Sequence, residues 1–168
     1  MNTKNSIVVM KFGGTSVQDS AAIKNVINIV NNNSLQKVVV VSAISKATTA
    51  LENIARFAAE KSVQEAEKLL DEIINRHHVI INDPVTDTAL RSAAAEKIIG
   101  YHREITELIK GLSIINELSL RILDAFRVFG ELMSSNVIYH AMVNAGLDVE
   151  LINSQHVIKT NNDFSRAY

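Results

Sequence analysis

The 168-residue chain has no cysteine and only one proline. The absence of cysteine excludes a disulfide framework, a thiolate metal site and a thiol nucleophile, and is compatible with a reducing cytoplasm. An excess of charge is also missing: 17 basic and 18 acidic residues leave a net charge of −1, so no basic field points to nucleic acid or an anionic membrane. Long apolar runs are absent at the N-terminus, where the run 7–10 ends at Lys11, too short for a signal peptide or a membrane span. A cytoplasmic protein with no nucleic-acid or membrane partner is expected. Two phosphate fingerprints are lacking too. No Gly-x-x-x-x-Gly-Lys-[Ser/Thr] occurs, which excludes a P-loop, and no Gly-x-Gly-x-x-Gly marks a dinucleotide fold.

What is present suits a soluble globular domain: 47% hydrophobic and 21% charged residues. A chain of this length buries roughly 70% of its unfolded surface, enough for one core. Residues 7–11 are an unbroken, largely β-branched run, as in a buried parallel strand. Ala22, Ile23, Val26, Ile27 and Val30 follow at helical spacing, behind Asp19 or Ser20 as cap. Lys37 to Val41 forms a second strand, so the segment 7–42 is a βαβ core with a parallel sheet. Residues 48–145 read as a helical block. Pro84 marks a break within it, Gly100 and Gly111 a kink or short loop, Gly130 a new helix start and Gly146 a C-cap. Residues 149–152 read as a return strand. With no internal repeat or linker, the block is an insertion on one edge of an α/β sheet.

Lys11-Phe12-Gly13-Gly14-Thr15-Ser16 is the segment that carries chemistry. It lies between the first strand and a helix-like stretch. Two adjacent glycines let backbone N–H groups approach an oxyanion with no Cβ in the way, and a following helix dipole would favour a phosphate there. Lys11 adds a full positive charge. Alternatively, Gly-Gly is merely a tight βα turn and Lys11 a solvated charge at a strand end. Ser42 and Thr48 lie at and beyond the carboxyl end of the second strand, where ligands collect in parallel α/β sheets; Thr48 is equally suited to cap a helix.

The six-residue string resembles the signature of aspartokinases. Val39-Val40-Val41-Ser42-Ala43 with Thr48, and Gly130-Glu131-Leu132-Met133-Ser134, resemble two further motifs of that family in order and approximate spacing. The resemblance spans nearly the whole chain. It implies the N-terminal portion of a parallel-sheet amino-acid-kinase-like fold, three-layer α/β/α, with a large helical insertion. It also implies phosphorylation of the β-carboxylate of L-aspartate by ATP, the first step toward lysine, threonine and methionine. On this basis Lys11 is the catalytic clamp, and Lys11, Phe12, Gly13, Gly14 and Thr15 bind the ATP phosphates. Ser42, Thr48 and Glu131 contact aspartate, with Glu131 pairing its α-ammonium group. Mg2+ is carried by ATP, with no protein ligand.

Members of that family commonly have a glycine where this chain has Lys46, so a different loop backbone is expected there. The family continues through a Gly-Arg-Gly-Gly-Ser-Asp segment and regulatory ACT domains, none of which is in these 168 residues. The resemblance therefore implies an allosteric enzyme, a homo-oligomer when full length, of which the isolated chain is an inactive part. The histidines offer little: His77 and His78 point about 100° apart on a helix, and His102, His140 and His156 lack partners at metal-ligand spacing. Two alternatives stand beside the aspartokinase reading. One is a glutamate or uridylate kinase of the same fold, and the other is a non-catalytic helical interaction module.

Overall fold

The computed structural model describes residues 6–161, 163 and 164, so both ends of the expected 1–168 domain lie outside the described residues. Strand β1 (Ile7–Phe12) pairs in parallel with β2 (Gln36–Val41), in the register Val9 to Val38 and Lys11 to Val40. Helix α1 (Ser20–Asn31) makes the crossover and is capped by the Asp19 side chain, which accepts from the Ala22 N–H. Both strands alternate strictly in exposure. Val8, Met10, Phe12, Val39 and Val41 face the core, whereas Ile7, Val9, Val38 and Val40 remain exposed. Among the described residues one face of the sheet is covered and the other is open.

Four helices form the expected block: α2 (Ala47–Ala59), α3 (Val63–Asn82), α4 (Thr88–Ile115) and α5 (Leu120–Asn144). Pro84 falls between α3 and α4, where it costs no helical hydrogen bond. Helix α4 buries Ala94, Ile98, Tyr101, Ile105, Ile109 and Leu112, a single stripe at spacings of three or four. Gly100 and Gly111 lie off that stripe, and the helix runs through both without the short loop that either could have marked. Each glycine costs about 1 kcal/mol against alanine, while each large apolar side chain buried contributes about 1.5–3 kcal/mol. Packing wins.

Helix α5 corrects two expectations. It runs unbroken through Gly130, so Gly130-Glu131 is mid-helix rather than a helix start, and no dipole acts on Glu131 from that end. It is buried around most of its circumference, because it packs on α2, α3 and α4 as well as on α1 and β2. Gly146, with φ +80°, follows the α5 C-cap as expected and donates to the Val143 carbonyl. Residues 149–152 form no strand among the described residues. Leu151 and Ile152 are exposed, and a strand exists only where a neighbour completes the ladder. One hydrophobic cluster runs from Val17 through α1 to Met142 of α5, joining the βαβ unit and the helical block in a shared core.

Candidate active site

The site is built where β1 and β2 end together. Beyond Phe12 the pairing continues by one bond, Ser42 N–H to the Phe12 carbonyl at 3.1 Å. The chain then turns through Gly13 into a 3-10 turn (Gly14–Val17), closed by Ser16 N–H to the Gly13 carbonyl at 2.9 Å. The helix dipole expected at the glycine turn is therefore not beside it, although the helix starts behind Asp19 as expected. The helix α1 begins only at Ser20, and its Ala22 N–H is taken by the Asp19 side chain. What remains at Gly13-Gly14 is the turn's own backbone and the nearby lysine. A Cβ added to Gly13 would meet the Lys11 Nζ at 3.6 Å and nothing else within 4 Å, so the ammonium lies beside the glycine backbone. Gly13 has φ −77° and ψ 171°, a conformation open to any residue. Its lack of a side chain is not demanded by the fold.

Gly14 is different. A Cβ there would stand 2.7 Å from the Ala43 carbonyl oxygen and 3.3 Å from the Ser45 nitrogen. The 3-10 turn thus presses directly on the β2–α2 loop, and Ser45 N–H donates to the Gly14 carbonyl at 3.1 Å. The same loop is gripped from behind by α5. Ser134 Oγ donates to the Ser42 carbonyl at 2.7 Å, and a Cβ on Gly130 would stand 2.9 Å from the Ala43 Cβ and 3.7 Å from Thr48 Oγ1. Gly130 and Ser134 are one helical turn apart on one face of α5. Their spacing is a packing device that lets the loop seat on the helix.

Several sequence-predicted residues therefore converge. Lys11, Gly13 and Gly14 line the turn, Ser42 and Thr48 lie in or just after the facing loop, and Glu131 is half-buried at the position after Gly130. Thr48 sits inside the first turn of α2, whose N-cap is Lys46, so it is not itself a cap. Phe12 contributes its carbonyl and a half-buried ring against the core. Thr15 is exposed on the 3-10 turn. Lys46 has φ 70° and ψ −5°, the left-handed conformation that glycine favours.

Two residues were not legible as site components. Arg76 of α3 donates to the Ser45 carbonyl at 2.6 Å and the Gln18 carbonyl at 3.2 Å. Arg127 of α5 pairs with Glu52 of α2 at 2.7 Å, below the Thr48 turn. A cavity of about 170 Å³ lies behind the loop between α2 and α3, lined by Lys46, Ala50, Glu72, Arg76 and His77 among others. It contains none of the predicted site residues. Next to it His77 is fully buried and donates from Nδ1 to the Ile73 carbonyl at 2.8 Å, which leaves Nε2 as a bare acceptor. Burial pushes its pKa down to about 4, against the opposing pull of the Ile73 bond. No group of three or more His, Asp or Glu side chains suited to a metal occurs among the described residues. No helix among them is long and apolar enough to cross a membrane.

The sequence profile of the amino acid kinase family matches residues 6–166. The chain is 29% identical over 157 residues to the bifunctional aspartokinase/homoserine dehydrogenase 2, chloroplastic, of Arabidopsis thaliana, covering 91% of this chain and 17% of that protein. It is 26% identical over 166 residues to the aspartokinase of Candida albicans, covering 96% of this chain and 30% of that protein. Among solved structures it is similar to E. coli aspartokinase III in complex with lysine and aspartate, with a TM-score of 0.84 and 27% identity over 96% of this chain and 34% of that one. The complex of that enzyme with aspartate and ADP gives a TM-score of 0.81. The chain thus spans about a third or less of the length of these relatives.

Proposed function

The chain belongs to the amino acid kinase family, and from that premise we propose that it forms the phosphate-holding side of an aspartokinase site. The observation that carries this reading is the Lys11 ammonium lying against the Gly13 backbone at the joint carboxyl end of two parallel strands. Phosphoryl transfer needs positioning and neutralisation of charge on the moving group, with little covalent work from the protein. Lys11 and the Gly13 and Gly14 backbone supply that neutralisation. An aspartate β-carboxylate is already ionised at neutral pH, so it attacks the γ-phosphorus of ATP without a general base. The new bond joins carboxylate oxygen to phosphorus, the bond to the β-phosphate oxygen breaks, and ADP leaves with its electron pair.

Glu131, Ser42 and Thr48 are proposed to hold the aspartate, Glu131 through a charge-assisted bond to its ammonium group. Mg2+ is proposed to arrive on the ATP phosphates, as is common where nucleotide phosphates supply most of its ligands. The reaction is proposed for the cytoplasm, in a homo-oligomeric full-length enzyme. These 168 residues alone are proposed to be inactive, because catalysis requires both reactants fixed in one geometry. The aspartate and ADP held by the similar E. coli enzyme favour this reading over glutamate or uridylate kinase chemistry and over a non-catalytic module.

The test traps acyl phosphate as the hydroxamate in a mixture of the full-length protein, ATP, magnesium, aspartate and hydroxylamine. Aspartate-dependent product is expected, with turnover lowered about 100-fold by Lys11→Ala. Product formed with glutamate but not aspartate, or near-normal turnover in the variant, would overturn the assignment.

A further inference from the structure

We propose that Arg76 is a positioning residue: its guanidinium clamps the glycine turn to the β2–α2 loop and holds Lys46 in the left-handed conformation. The inference rests on the aspartokinase reading for what the two loops bind, but the clamp is a property of this chain. Three observations carry it. First, Ser45 is held on both sides: its N–H donates to the Gly14 carbonyl at 3.1 Å, and its carbonyl accepts from Arg76 Nη1 at 2.6 Å. Second, the next residue is Lys46, with φ 70°. A non-glycine residue resists that conformation, which persists where the surroundings over-determine it. Here the surroundings are the two bonds on Ser45 and the turn closed over Lys46 by Ala47 N–H to the Ile44 carbonyl at 2.9 Å.

Third, the other arm of the same guanidinium, Nη2, reaches the Gln18 carbonyl at 3.2 Å, just past the 3-10 turn that begins at Gly14. A planar fork fixes the spacing of the two carbonyls it joins, and a lysine ammonium cannot reproduce that geometry. The base from which Arg76 projects is itself anchored. Ser20 Oγ donates to the Ile80 carbonyl at 3.0 Å, and Lys24 pairs with Asp83 at 2.7 Å, tying α3 to the segment just after the turn. Arg76 therefore transmits the position of a packed helix to both loops through their backbone carbonyls.

The experiment is residue-resolved amide hydrogen exchange on the 168-residue chain. Arg76→Ala should speed exchange at Ser45 and Ala47 by about tenfold or more while Ile105, in the α4 core, keeps its protection. Arg76→Lys, the variant to use should alanine prevent folding, should accelerate the same amides in part. Adding Lys46→Gly to either variant should restore much of the protection, because glycine does not resist the left-handed conformation. Unchanged exchange at both loops, equal acceleration of loops and core, or no recovery from Lys46→Gly would each overturn the clamp. In the hydroxamate assay Arg76→Ala should lower kcat more than Lys46→Gly does. Absence of activity from the unsubstituted full-length protein would count against the aspartokinase reading and leave the exchange result to decide the clamp.

Discussion

Gly14 and Gly130 face the β2–α2 loop from opposite sides, and neither has room for a methyl group. Gly100 and Gly111, on the outer face of α4, would meet nothing within 4 Å of an added Cβ. The same residue type thus serves the inner region as a spacer that lets backbone approach backbone. On α4 it is an unneeded weakness carried by a well-buried stripe. This fold is therefore intolerant around the loop that faces the Gly13-Gly14 turn, and not along the longest helix.

The largest expected effect comes from Gly14→Ala. A methyl group 2.7 Å from the Ala43 carbonyl oxygen forces backbone to move, which should cost about 3 kcal/mol. Gly13→Ala, with only the flexible Lys11 end nearby, should cost less than about 1 kcal/mol yet impair phosphoryl transfer. Urea unfolding of both variants checks the pair, and equal losses would break the contrast between neighbouring glycines.

Acidification probes the inner region by another route. The His77 pKa is lowered from 6.5 to about 4 in the folded chain, so the unfolded chain binds the extra proton between those values. Stability is full above about pH 6.5 and should fall by roughly 3 kcal/mol as the pH drops toward 4. His77→Gln should flatten that slope in melts taken across the range. An unaltered slope would assign the acid sensitivity to other groups.

Gly130→Ala should cost about 2 kcal/mol, less than Gly14→Ala, because the obstructing atom is the Ala43 side chain rather than its backbone. The smallest effect should have the opposite sign. Gly100→Ala and Gly111→Ala should each raise stability by up to about 1 kcal/mol, since alanine is the better helix former and has open space there. Thermal melts of the four variants sharpen the comparison, and a destabilising Gly100→Ala would show that α4 is more constrained than its surroundings indicate.

Much of the fold was legible before any coordinates. Ile23, Val26, Ile27 and Val30 mark the buried face of α1, and the two valine-rich runs mark β1 and β2. Asp19 and Pro84 punctuate the chain where expected. Of the candidate site, the closeness of Lys11 to the Gly13-Gly14 backbone was readable because glycine adjacency next to a charged strand end is a local pattern. Glu131 was readable only as part of a motif, and its position in the middle of α5 was not. The break expected at Gly130 followed the helix propensity of one residue, which the packing of α5 on five other elements overrides.

The sequence by itself determined what depends on near neighbours: the positions of the two strands, the helical stripes, the Asp19 cap and the glycine turn; the unbroken apolar runs indicated buried strands, whereas one face of each is exposed. Tertiary structure alone decided the rest. Ser134 meets Ser42 across 92 positions, Arg76 meets Gln18 across 58, and Arg127 meets Glu52 across 75. Lys46 takes a glycine's conformation because bonds from α3 and the turn hold Ser45 on both sides. Residues 149–152 stay unpaired among the described residues despite their strand-like composition, because a ladder needs a partner strand that composition cannot supply. Backbone conformation at such places follows from contacts distant in sequence, and those exist only once the chain has packed.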